Sequence, residues 1–514
     1  MNSVWMADRR DSPYPPLAGT AEVDTVVIGG GITGVTTAML LAGAGQSVVL
    51  LEAERIGASN TGGSTGNLYG TVSDGLAKVR DKWDADTARQ VVTMRMQALE
   101  LIEKTSARLS IDCGFARRPL YACVAGEDEQ QLASLQDEHR ALEEAGLAPS
   151  WVETVPGLPA SALPPRAHAA LRIEQQAQFN PFTYTQGLAR ALAEQGVRVH
   201  EHSAAVDVDA GQGRVKTAAG EVHARHIVFA THTPKGFNLV QAEMETYREY
   251  GIAGALGAGS THAQSDPGQG RAPEAICWIR DRSRSIRSCR HGDRDHLVVV
   301  GEKHKTGHNA ANTDYHERLR EYAREHFGVA GFDYAWSAQQ YKSADALPYI
   351  GHSAHRNVYI ATGFGADGLT WGTVAANVIA ELVQGRESPA SELLTPKRFT
   401  PIKSAKVWAA ENATVMKHLV GDRLSSAEQD RLSDVQRGQG RIVDLDGRKH
   451  AVYRSPADEL TVLSPVCPHL KCHVAWNAAA TSWDCPCHGS RFDVQGQVIE
   501  GPSLHPLERY ELED

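Results

Sequence analysis

The sequence is poor in positive charge and in long apolar runs, and each shortage removes a class of function. Its 52 Lys and Arg fall below its 62 Asp and Glu, a formal net charge of −10, so neither nucleic acid nor an anionic membrane surface is an expected partner. The most apolar run, Val35 to Leu51, is broken by Gly43, Gly45, Gln46 and Ser47, short of the ~20 continuous apolar residues of a membrane helix. Arg9-Arg10 is followed by Asp-Ser-Pro-Tyr-Pro-Pro and not by the apolar stretch of an export signal, which predicts a cytoplasmic protein with no membrane insertion. Internal repeats and low-complexity tracts are also missing. What is there is ordinary globular composition, 42% apolar and 22% charged in 514 residues, enough for two to four domains at roughly 100 to 200 residues each.

Cysteine is sparse over most of the chain and crowded near one end. Cys113, Cys123, Cys277 and Cys289 are scattered, whereas Cys467, Cys472, Cys485 and Cys487 fall together among histidines, prolines and glycines, which places separate chemistry there. After Ala427 short apolar runs alternate with turn residues, the pattern of an all-β module. Before it, Pro389 to Ser404 has linker composition and Lys406 to Leu419 a short helical pattern.

The other end opens as a β-α-β unit. Val23 to Ile28 reads as a strand, Gly29-Gly-Gly-Ile-Thr-Gly34 as a turn, Ile32 to Ala44 as a helix stopped by Gly45, and Val48 to Leu51 as a strand ending at Glu52. Gly29 permits the tight turn, Gly31 lets backbone N–H groups approach a pyrophosphate, Gly34 lets helix and strand pack closely, and Glu52 can accept from a ribose hydroxyl. Gly363-Phe-Gly365-Ala-Asp-Gly368 repeats the spacing between a strand, Val358 to Ala361, and a helix, Leu369 to Val383, but no further strand with a terminal acid follows. A helix N-terminus aimed at another part of the same cofactor is expected there, its dipole favouring negative charge. In between, 84–145 has helical spacing interrupted at Asp112 to Val124, expected as a strand pair. Phe182 to Gln195 and Tyr315 to Phe327 read as helices, and 246–302 as β-rich.

Together with Ile227-Val-Phe-Ala-Thr231, Asp345-Ala-Leu-Pro-Tyr-Ile-Gly351 and Ala361-Thr-Gly-Phe-Gly365, these motifs make residues 20–390 resemble the FAD-dependent D-amino-acid oxidase and glycine oxidase superfamily. The resemblance implies an α/β FAD-binding domain of Rossmann-like, glutathione-reductase type over 20–75, 165–240 and 340–390. It is interleaved with an α+β substrate domain over 76–164 and 241–339. A linker with a short helix (391–424) and a C-terminal all-β domain (425–514) follow. Gly57 to Asn67 is similar to the superfamily's flavin-wrapping loop. The FAD contacts implied are Gly29, Gly31, Ile32, Thr33 and Gly34 at the turn, Glu52 and Ala53 after the second strand, and Ser59 and Thr61 in the loop. Later come Val206, Ala230 and Thr231, then Gly363, Gly365, Gly368 and Leu369 at the late helix.

Cys467-Pro-His469 and Cys485-Pro-Cys487-His488 give C-x-H…C-x-x-H. Zinc accepts two Cys and two His, but here each pair offers one of each, which also suits a 2Fe-2S cluster with two thiolates on one iron and two imidazoles on the other. The stretch from Cys467 to Phe492 with Gly501-Pro502 resembles the Rieske 2Fe-2S domain, including its disulfide-bearing respiratory branch. Carried over, Cys467, His469, Cys485 and His488 are the ligands and Cys472 and Cys487 form a disulfide. Ser490 matches a serine that bonds to a cluster sulfide, Phe492 replaces a tyrosine and Lys471 a glycine. A potential below the high end of the roughly −150 to +300 mV Rieske range is expected.

The resemblance implies hydride removal from an amine or amino-acid-like substrate to FAD. A cluster takes one electron where FAD holds two, so electrons must leave singly, to an external one-electron carrier protein or a quinone-like acceptor. A built-in exit favours a dehydrogenase, with docking expected near His469 and His488. The alternatives are a reductase run in the opposite direction and a non-catalytic redox-sensing or structural cluster. Arg287, from the series Arg280, Arg282, Arg284, Arg287 and Arg290, is a candidate clamp for a substrate carboxylate. His304, expected in a loop over the flavin, and Tyr341 are further candidates for catalysis.

Overall fold

The computed structural model describes residues 2–7, 13–124, 129–159, 162, 170–257, 273–280, 283–308, 313–398, 400, 403–404, 432–445 and 447–510. The helical pattern at Lys406 to Leu419, Arg282 and most of the glycine-rich stretch 257–270 lie outside these residues.

The β-α-β unit starts an open parallel sheet. Gly19–Ile28 lies between Val48–Leu51 and Gly220–Phe229; Val358–Thr362 and Arg198–His200 extend it in parallel, and Tyr349–His352 closes one edge antiparallel. Alternation along the strands sends Val27 and Leu50 into the core beneath the helices Ile32–Gly43 and Gly368–Val383, and Val26, Ile28, Val49 and Leu51 into the core on the other face. Both faces are therefore apolar, and both helices cover one of them.

A second, nine-stranded sheet is built from the intervening segments. Its path runs Tyr334–Ser343, Met244–Ala255, Arg294–Lys305, Arg284–His291, Ile276–Ile279, Ala116–Cys123, Ala170–Gln178 and Asn67–Leu68. Asp112 to Val124 supplies one strand and not the expected pair: Ala116–Cys123 joins Ala170–Gln178 antiparallel and Ile276–Ile279 parallel. Local sequence shows the apolar run but not its partners, which lie far away in the chain. Helix Tyr315–Phe327 packs on this sheet with Leu319, Ala323 and Phe327.

The C-terminal module consists of two four-stranded sheets over 439–510. The start of the expected linker is fastened down. Ser388 caps a short helix, Pro389–Leu393, and Arg398 grips Asp345 with two hydrogen bonds, 2.7 and 2.9 Å, while stacking over Tyr349. No helix among the described residues is long and apolar enough to cross a membrane.

Candidate redox site

The glycine turn lies where three parallel strands end. An added Cβ at Gly34 would stand 1.8 Å from the Gly29 carbonyl, and one at Gly29, with φ +109°, 2.5 Å from the Ala230 carbonyl, so neither position can carry a side chain. Ala230 N–H donates to Ile28 O at 2.8 Å, bringing Ala230 and Thr231 beside the turn. Glu52 accepts from Gly30 N at 2.6 Å and Glu54 N at 2.9 Å. Burial pushes its carboxyl up, opposed by those N–H groups. Ile32 N–H donates to Thr61 at 3.0 Å, tying the wrapping loop to the helix start, with Ala53 and Ser59 exposed nearby. Thr33 meets the late helix at Gly372. Leu369 is buried in that helix, and an added Cβ at Gly365 or Gly368 meets nothing within 4 Å, so the helix start faces open space. Val206 follows Ser203, whose N–H donates to Glu52 O at 2.8 Å; its own N–H is bonded to Lys216 O, and its side chain is exposed.

The cysteine-rich loops form a second centre. Cys472 and Cys487 are joined in a disulfide, while Cys467 and Cys485 are buried free thiols. The sulfurs of Cys472, Cys485 and Cys487 lie within 4.8 Å of one another, but with two of them bonded together this group holds one thiol and is not a three-thiolate site. The Cys467 thiol is held down to about 7, first by its contact with Cys485, whose own thiol is pushed up by the same contact and by burial. Burial pushes the imidazoles of His469 and His488 down to about 4, which keeps them neutral at neutral pH. Their rings lie 5.1 Å apart and nearly perpendicular. Ser490 is buried against Cys467 and accepts from Ser503 N at 3.2 Å. Lys471 holds φ +63°, the left-handed backbone that glycine adopts most easily.

These loops are docked on the rest of the chain. Gln339 Nε2 donates to the Gly489 carbonyl, next to His488, and to Tyr341 Oη, both at 2.7 Å, while Gln339 N–H donates to Asn60 of the wrapping loop at 3.0 Å. Glu500 accepts from Asn60, lies 3.0 Å from His232 Nδ1, and sits 3.6 and 3.8 Å from Arg491 and Arg248. Burial alone would raise the Glu500 carboxyl, but His232, Arg491 and Arg248 hold it at about 2. Arg491 in turn holds Asp484 at 3.0 Å, and Asn477 joins Asp484 to Tyr250.

A protein-family model described as FAD dependent oxidoreductase matches residues 24–382, and one described as Rieske [2Fe-2S] domain matches 427–511. The chain belongs to the FAD dependent oxidoreductase family. This oxidoreductase is 30% identical over 530 residues to YhfW of Bacillus subtilis (strain 168), named as a Rieske 2Fe-2S iron-sulfur protein, with 99% of this chain and 98% of the relative covered. Gamma-glutamylputrescine oxidoreductase of Escherichia coli (strain K12) is 26% identical over 73% of this chain and 86% of its own. Glycine oxidase from Geobacillus kaustophilus shares the fold of the first part, with TM-score 0.57 and 17% identity over 74% of this chain and 99% of its own.

The residues of the oxidoreductase fit both cofactors the family implies, FAD and a Rieske 2Fe-2S cluster. Gly29 and Gly34 of the turn leave no room for a side chain, and the late helix start is open. In the loops, two buried free thiols face two neutral imidazoles, and His488 Nδ1 is buried without a hydrogen-bond partner, a lone pair suited to a metal.

Of the catalytic candidates, His304 falls elsewhere than expected. Arg287 is buried, donating to the carbonyls of Thr65 and Gly66 at 3.1 and 2.6 Å and lying over the Trp5 ring; it braces the wrapping loop. His304 lies within the strand Arg294–Lys305 and not in a loop, and its Nε2 meets Tyr250 Oη at 3.0 Å, on the Rieske side. Tyr341 also points to the cluster loops and packs edge-on against His232 at 4.8 Å. Nor do both imidazoles face outward, since His488 is only 8% exposed. Sequence reasoning missed His232, Gln339 and Glu500, which no local motif marks, and did not single out Asn60 within the wrapping loop. It also missed Val4, Trp5 and Met6, buried beside the wrapping loop, with Trp5 Nε1 donating to Ser64 O at 2.7 Å.

Proposed function

We propose that the oxidoreductase removes hydride from an amine or amino-acid-like substrate and releases the electrons singly, through the Rieske module, to an external acceptor. FAD, when bound, supplies a two-electron acceptor and the cluster a one-electron store. The glycine turn, Glu52 and Thr61 would hold the nucleotide, and the Gly368 helix start would stabilise negative charge on the ring. Cys467, Cys485, His469 and His488 hold the cluster. The substrate class is supported by the relatives, among them gamma-glutamylputrescine oxidoreductase and glycine oxidase.

The observation that carries the relay is the grip of Gln339 on Gly489. One residue links the two parts, its backbone N–H donating to Asn60 of the wrapping loop and its side chain to the peptide beside a cluster ligand, so the module docks with that ligand toward the flavin half. Replacing Cys467 by Ser tests it. Flavin reduction by an amine found in an anaerobic screen should persist, and turnover with a one-electron acceptor should fall to near zero. Unchanged acceptor turnover without the cluster contradicts the relay.

A further inference from the structure

The docking of the Rieske module separates its two imidazoles. On either side of buried His488, Gly489 is held by Gln339 and Tyr341, and Pro486 abuts Gly307, where an added Cβ would stand 2.7 Å away. His469 meets a different segment. The Gly236 carbonyl lies against its ring without a well-formed bond to Nε2, which is buried and unpartnered. Gly236 N–H donates to Pro502 O, and Lys235 Nζ to Gly501 O, each at 2.8 Å. Immediately beyond this seam, Phe237 and Leu239 are 69% and 75% exposed. A single exposed apolar residue carries little meaning, but two in one short stretch, continuous with a seam over a cluster ligand, mark a contact surface.

We infer that 236–240, through its exposed Phe237 and Leu239, is the docking surface for the external acceptor, a small one-electron redox protein presenting an apolar, uncharged face around its own cofactor edge. This rests on the reading that electrons leave through the cluster. His488 then serves the inner side and His469 the outer. One electron passes, the reduced cluster is oxidised by one and the carrier reduced by one, and no bond or proton is exchanged. Gly236-Phe-Asn-Leu-Val240 contains no charged residue, so no ion pair forms with the segment itself. A contact of this small size suits the short-lived encounters of electron carriers.

The test uses the full holoprotein with Phe237→Cys carrying a polyethylene glycol chain. Lys104→Cys, on the exposed side of helix Ala85–Arg108, carries the same label, and unsubstituted protein is treated alongside. All are reduced anaerobically with dithionite, so the readout needs neither substrate nor transfer from the flavin. Reoxidation of the cluster by cytochrome c and by tris(phenanthroline)cobalt(III) is followed by its EPR signal, and amide exchange over 235–241 is measured with cytochrome c present. The label at 237 should slow both reoxidations by about tenfold or more, the label at 104 should not, and the cytochrome should protect 236–240 from exchange. Equal rates for the two labelled proteins, absence of protection, or no reaction of the unlabelled protein overturns the inference. A dithionite-reduced cluster that passes electrons normally, but that substrate-reduced flavin never reduces, contradicts the relay and leaves the docking surface standing.

Discussion

At the scale of single residues, Glu500 carries the most consequence. It is one carboxylate among His232, Arg248, Arg491 and Asn60, and removing its charge takes the ion-pair partner from buried Arg248 and leaves buried Arg491 with Asp484 alone. Glu500→Gln should cost about 3 kcal/mol, read as a lower unfolding midpoint in denaturant. Its carboxyl is held at about 2, below the ordinary value of 4.5. The stabilisation is thus fully present above the ordinary value and is lost as pH falls from there toward about 2. Melting temperatures taken from pH 6 downward should fall less steeply in the variant than in the parent. An equal slope would show that Glu500 does not supply the acid sensitivity. None of these partners was legible in the sequence. Asn60 and Glu500 are 440 positions apart, and no spacing rule links a glycine-loop asparagine to a glutamate beyond the cluster loops.

At the scale of elements, legibility follows how local the physics is. The turn Gly29–Gly34 could be read directly because each glycine answers a contact made within one β-α-β unit. Gly34→Ala should therefore lose flavin: the new Cβ meets the Gly29 carbonyl, the helix is pushed off the strand, and the purified protein should show well under half the parent flavin absorbance. Full flavin content would contradict this packing argument. The cysteine loops were legible for a similar reason, since both ligand pairs sit in short sequence windows. Their disulfide ties the two loops together, so Cys472→Ser with Cys487→Ser should keep the ligands but release iron to a chelator several-fold faster, as the loops gain freedom. Strand pairing was the poor case. Ala116–Cys123 looks like half of a hairpin and instead lies between strands whose sequence positions give no hint of it. His304 was misplaced because Gly301 and Gly307 suggest a loop, while the strand continues to Lys305 with Glu302 at φ +55° absorbing the irregularity.

At the scale of the whole molecule, the sequence shows two modules and the structure shows how they meet. Composition and motifs separate a flavin part from a cluster part, but an interface between modules has no period and no motif of its own. Here it is polar and buried, with Gln339, Asn60 and Glu500 joining the wrapping loop to the cluster loops, so the cluster module is held in one place. With a fixed module, the proposed transfer within the chain would be independent of protein concentration. The measurement that tests this most directly is anaerobic mixing with an amine or amino acid that bleaches the flavin, freeze-quenched at intervals and read by EPR. The account predicts that the Rieske signal grows in as the flavin bleaches, at a rate unchanged on dilution. A flavin that stays reduced beside an oxidised cluster, or a rate that falls with dilution, would contradict it.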